Sequence, residues 1–126
     1  MWTLVYKRQI NISHHLALDY ESSSVDAHGH ILTISITFST NRLNPNNMII
    51  DTIHLDKMID RLGSDINGYM MTNNVRGNAT IENFILLLKE KSNLIVQREN
   101  DKYHNDVRML KLSISDESGR QFIYDI

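Results

Sequence analysis

The chain has 126 residues, 41% of them apolar and 22% charged, with a net charge of −2 and no cysteine. That is the length and balance of one globular domain, 1–126, with a single core. It offers no basic stripe for nucleic acid and no pull toward an anionic membrane surface, and it excludes disulfides, thiolate metal ligands and a cysteine nucleophile. No stretch is apolar for long enough to span a bilayer and the N-terminus lacks a signal-peptide pattern, so the expected location is a reducing cytoplasm.

In chain order, Trp2 to Ile12 reads as a strand with Leu4, Tyr6, Ile10 and Ile12 on one face. Extending that face by one alternation puts His14 in phase with it. Asp19 to Asp26 is a polar loop. His30 to Thr40 is the clearest strand, with Leu32, Ile34, Ile36 and Phe38 sharing a face. Asn41 to Asn47 turns around Pro45, the only proline. Asp51 to Leu62 reads as a helix, because Leu55, Met58, Ile59 and Leu62 recur at helical spacing, with Gly63 as its stop. Ser64 to Ala79 reads as a long polar loop. Thr80 caps a second helix whose buried stripe is Ile81, Phe84, Ile85 and Leu88. Leu94 to Gln97 reads as a short strand and Glu99 to Asp106 as a charged loop. Val107 to Ser115 alternates, with Leu110, Leu112 and Ile114 on one face. Ser118-Gly119 is a tight turn into a last strand, Gln121 to Asp125.

Two hairpins thus flank a helix pair, which predicts an α+β fold: a four-stranded antiparallel sheet with two helices on one face. Its two open edges favour edge-to-edge assembly into a closed ring. Within this frame the run His28-Gly29-His30 carries most chemical information. Side chains two apart on a strand share a face, so these imidazoles project together, and His14 from the neighbouring strand completes three nitrogens. Three histidines with a fourth position open is the arrangement of a catalytic zinc. The plain alternative is a pair of solvated polar residues at a strand entrance. His15 lies one residue out of phase and ranks second as a ligand. His54 and His104 read as surface residues.

The landmarks resemble, in order, the family of 6-pyruvoyl-tetrahydropterin synthases and the related 6-carboxytetrahydropterin synthases of queuosine biosynthesis. That family opens on Phe-x-Ala-Ala-His-x-Leu, answered here by Ile10-Asn11-Ile12-Ser13-His14-His15-Leu16, and continues with a Cys-containing loop and a His-Gly-His, here His28-Gly29-His30. Its Gly-Met-Val-x-Asp-Phe before the first helix is answered by Asn47-Met48-Ile49-Ile50-Asp51-Thr52. Its Pro-Thr-x-Glu-Asn at the second helix is answered by Ala79-Thr80-Ile81-Glu82-Asn83. Its closing Glu-Thr and a Tyr-containing strand are answered by Glu117-Ser118 and Tyr124.

The resemblance implies the tunnelling fold, in which trimers close their sheets into a barrel, two trimers commonly stack as a hexamer, and active sites lie between subunits. It implies zinc on His14, His28 and His30, and a pterin anchored by Glu117, with Thr80 and Glu82 near the pocket. A carboxylate suits that anchor, since it accepts two parallel hydrogen bonds from a pterin's amino and ring N–H groups. Read without the family, Glu117 is an exposed turn residue, and Thr80 with Glu82 is a helix cap with a first-turn acid. The implied reaction is a zinc-dependent carbon–oxygen lyase step on 7,8-dihydroneopterin triphosphate.

Two positions depart from the family. Its catalytic Cys, four residues before His-Gly-His, is Ser24 here; in its Asp-His relay, Asp65 stands for the Asp and Ile66 takes the place of the His. A serine hydroxyl cannot replace a thiol of pKa about 8.5 as proton acceptor. The expected function is therefore a zinc-binding pterin-pathway protein acting on or binding a dihydroneopterin-like molecule as a homo-oligomer. The alternative is an inactive or divergent homologue that serves as a zinc- and pterin-binding or assembly module.

Overall fold

The computed structural model describes residues 1–22, 26, 28–66 and 77–126. Its elements are β1 (Trp2–His14), β2 (His28–Thr40), α1 (Thr52–Ile66), α2 (Ile81–Tyr103), β3 (Arg108–Ser115) and β4 (Gln121–Asp125). The strands form one antiparallel sheet in the order β1-β2-β3-β4, a meander into which both helices are inserted between β2 and β3. This is the expected α+β architecture.

The long β1–β2 hairpin is in register from Trp2↔Thr40 to His14↔His28 without interruption. One-face alternation sets that register, since a slip of one residue would turn Ile34 and Ile36 out of the core. Tyr6, Ile10, Ile12, Leu32, Ile34, Ile36 and Phe38 are buried on that face. The apolar stripes of both helices pack there, with Leu55, Ile59, Phe84 and Leu88 at 0–1% exposure. The opposite face carries Lys7, Gln9, Asn11, Thr33 and Ser35, exposed or half-buried.

α1 is fastened over β1 by side chains. The Tyr6 hydroxyl donates to Asp56 Oδ1 at 2.5 Å, and Arg8 spans Asp56 (3.1 Å) and Asp60 (2.7 Å). Asp51 starts the helix by accepting the N–H of Ile53 at 3.0 Å. The helix does not stop at Gly63 but runs to Ile66: a glycine permits a stop, and inside a helix it costs only about 1 kcal/mol. Of the rest of the expected polar loop, residues 67–76 lie outside the described residues and 77–79 lead into α2.

α2 overturns two expectations. Leu94 to Gln97 is not a strand and Glu99 to Tyr103 is not a loop; one helix of 23 residues spans both. Its buried stripe continues as Leu88, Ser92, Val96 and Glu99. The two polar members break the apolar signature that a helix is read from. Burial of Glu99 is compensated by Asn44 Nδ2, which donates to its Oε1 at 2.8 Å. The helix ends at His104 in the left-handed conformation, φ 50°, with its N–H on the Asn100 carbonyl.

β3 carries a third correction. The pairing jumps from Thr37↔Lys111 to Phe38↔Met109, so Leu110 is the extra residue of a bulge. It is 37% exposed, and Met109 takes its place in the core. The turn into β4 is built on Asp116, whose Oδ1 accepts from Ser118 N, Ser118 Oγ and Arg120 N. Gly119 supplies the positive φ of 88°.

Candidate metal centre

The register of the β1–β2 hairpin builds the site. His14 faces His28 directly, and Ile12 faces His30, so the three imidazoles occupy the last two pairs on one sheet face. Their ring centroids are 4.5, 5.0 and 4.9 Å apart, all edge-to-face. One nitrogen of each lies within 4.8 Å of the other two. The three residues expected from the sequence are the ones brought together.

In each ring Nδ1 already has a partner. His14 Nδ1 is 2.5 Å from the Ala79 carbonyl, His28 Nδ1 is 2.8 Å from the Asp26 carbonyl, and His30 Nδ1 is 2.8 Å from Glu117 Oε1. Carbonyl and carboxylate oxygens only accept, so each Nδ1 carries the proton and each Nε2 keeps its lone pair for a metal. His14 Nε2 is buried and has no hydrogen-bond partner among the described residues. A buried lone pair without a partner is costly in a folded protein, and a cation at the focus of the three rings would satisfy it. Burial also holds the His14 pKa below 6.5, which keeps the ring neutral as a ligand must be. The donor set therefore fits zinc on three imidazole nitrogens.

The supports of this centre were not legible in the sequence. The segment before α2 is tied to the end of β1: Asn78 accepts the Ala17 N–H at 2.9 Å and donates to the Ala17 carbonyl at 2.8 Å, while Asn83 Nδ2 holds the Asn78 carbonyl at 2.8 Å. This clamp positions the Ala79 carbonyl against His14. No spacing in the chain announces it, because the contact joins residues 65 apart.

Glu117 lies beside the metal centre. Oε1 meets His30, and Oε2 accepts the Ile31 N–H at 3.3 Å. Its pKa is lowered from 4.5 first by its own backbone N–H and then by His30, so the carboxylate is charged at neutral pH. Thr80 caps α2 by accepting the Asn83 N–H at 3.2 Å, next to the Ala79 carbonyl that His14 uses. Glu82 is exposed in the first turn of α2. Ser24 lies outside the described residues. Asp65 and Ile66 fall in the last turn of α1, and their side chains lie outside what is described. His15 lies just past β1 and is exposed.

Neither remaining histidine joins the centre. His104 ends α2, whose 23 residues span about 34 Å from the start that follows Ala79, whose carbonyl meets His14. His54 sits in the first turn of α1. That helix runs along β1 toward His14 by way of Asp60 on Arg8, and from Arg8 the strand extends about 20 Å further.

Fold and centre together define a class: a small antiparallel α+β domain with a three-histidine site on its longest hairpin. The model of the 6-pyruvoyl tetrahydropterin synthase family matches residues 3–125, and the chain belongs to that family. Among curated proteins, none matches the chain.

Proposed function

We propose that this family member binds one zinc ion through Nε2 of His14, His28 and His30, and a reduced pterin of the dihydroneopterin type against Glu117. The observation that carries the metal reading is the buried His14 Nε2, without a partner among the described residues, at the focus of three imidazoles whose other nitrogens are committed. When bound, the ion supplies a Lewis acid that polarises an oxygen of the pterin side chain. The chain's own groups do the positioning. Glu117 Oε1 meets His30 and Oε2 accepts from Ile31, and a carboxylate offers about four acceptor sites, so it can accept N–H groups of a pterin while still holding His30. Thr80 and Glu82, at the start of α2, are the candidate contacts beyond it.

Turnover is a separate matter. Proton abstraction needs a base with a pKa near the working pH, and such a group contributes 10²–10⁴-fold. Ser24 and Ile66 stand where the family keeps its thiol and imidazole, and neither supplies that base. Asp65 alone remains of the relay. This favours a second reading, in which the protein holds zinc and pterin as a binding or assembly module. Zinc-loaded protein is titrated with dihydroneopterin triphosphate, following pterin fluorescence for binding and product formation for chemistry. The expected result is saturable binding that His28→Ala with His30→Ala removes or weakens at least tenfold, with little or no product. Absence of binding by the zinc-loaded protein contradicts the pterin assignment.

A further inference from the structure

Between α1 and α2 lies a cavity of about 720 Å³ whose lining includes His54 but none of His14, His28 and His30. α1 and α2 run antiparallel: Asn44, just before α1, holds Glu99 near the end of α2, while Met58 meets Ser92 one helix-third earlier. Between them, Met58, Leu62, Leu87 and Ile95 make an apolar floor, and Leu94 stands beside it 47% exposed. From Leu87 to Tyr103 the lining follows more than four turns of α2, about 24 Å.

The rims are basic on both sides. Lys57 and Arg61 come from α1, and Lys91, Arg98 and Lys102 from α2. These are five of the thirteen Lys and Arg residues in a chain whose net charge is −2. Among the described residues none of the five forms an ion pair; Lys102 lies over the Tyr103 ring. The two carboxylates in the lining are already engaged, Asp51 on the first turn of α1 and Glu99 on Asn44.

An apolar floor between like-charged rims is complementary to one kind of surface, an apolar stripe flanked by acids. A membrane is a poor match, because the apolar atoms line a recess instead of protruding. A second copy docking through the same face would set basic rim against basic rim. We infer that the groove between α1 and α2 docks an acidic amphipathic helix of a partner protein, laid along α2 as a third helix.

The test uses the full-length protein and a fluorescein-labelled 16-residue peptide with Leu at helical i, i+3, i+4, i+7 spacing and Glu on the flanks. Fluorescence anisotropy should show saturable micromolar binding that weakens as salt is raised. Lys57→Glu with Arg98→Glu should weaken it at least tenfold. Leu94→Ala, at an exposed position, should weaken it several-fold while leaving the salt dependence unchanged. Zinc content and thermal melting of each variant verify that the fold is intact. Equal binding of polyglutamate, which has no apolar stripe, overturns the proposal. So does absence of peptide binding, or binding only to vesicles of anionic phospholipid that the same charge reversal abolishes.

Discussion

His14 is the most buried of the three imidazoles, and its Nε2 is buried with no hydrogen-bond partner among the described residues. His28 and His30 were legible as a same-face pair from their spacing alone, and His14 from its phase on the preceding strand. Their orienting partners were not, since a backbone carbonyl has no sequence signature and Ala79 reaches His14 only through the Asn78 clamp. Glu117 was legible only through family resemblance, as a pterin anchor; the structure adds that it touches His30. This double position gives a prediction. Glu117→Gln should lower zinc affinity by about 10–100-fold, because the carboxylate fixes the tautomer and raises the basicity of a ligand. Competition with a chromophoric chelator measures it, and unchanged zinc affinity would confine Glu117 to the pterin. A companion change addresses the missing base. Ser24→Cys with Ile66→His should raise synthase turnover while leaving zinc content alone. Robust turnover by the unmodified chain would show that some other group moves the proton.

At the scale of elements, the alternating strands and the apolar stripes of both helices could be read directly, because period 2 and period 3.6 leave visible patterns. The second half of α2 could not, because Ser92 and Glu99 occupy its buried stripe, and the hydrogen bond that compensates Glu99 comes from Asn44, 55 residues away. The bulge at Leu110 escaped for a similar reason: one inserted residue inverts the phase without changing composition. Thr80→Ala should cost about 1 kcal/mol by removing the cap on Asn83 N–H, measurable by urea unfolding. The fastening of α1 to β1 predicts a pH dependence. The Tyr6 hydroxyl, then Arg8, holds the Asp56 carboxyl below 3.8, while burial first and Asp56 second push the Tyr6 phenol from 10.0 to about 12. A carboxyl with a depressed folded pKa stabilises the fold above its unfolded value, and that contribution is lost as pH falls through the folded one. The phenol's contribution is present below pH 10 and lost as pH rises toward about 12. Asp56→Asn should therefore lower stability at pH 7, with the difference from wild type narrowing as acid is added below about pH 4. Thermal melts across that range verify the sign, and a gap that widens in acid would contradict it.

For the whole molecule, the sheet has β1 and β4 as its edges, and its face away from the helices mixes polar Lys7, Gln9, Asn11, Thr33 and Ser35 with exposed Val5, Ile31 and Ile123. Pairing those edges between copies would remove both and make that face the lining of a barrel, the closure expected from the sequence and the family. The metal centre sits at one end of the edge strand β1, so closure would bring a neighbouring copy toward it and complete the site between subunits. Native mass spectrometry of protein purified without chelator reads assembly and metal together. The account predicts a trimer or hexamer with about one zinc per chain, and loss of that zinc in the His28→Ala, His30→Ala variant. A metal-free chain, or zinc that survives removal of both imidazoles, would contradict it.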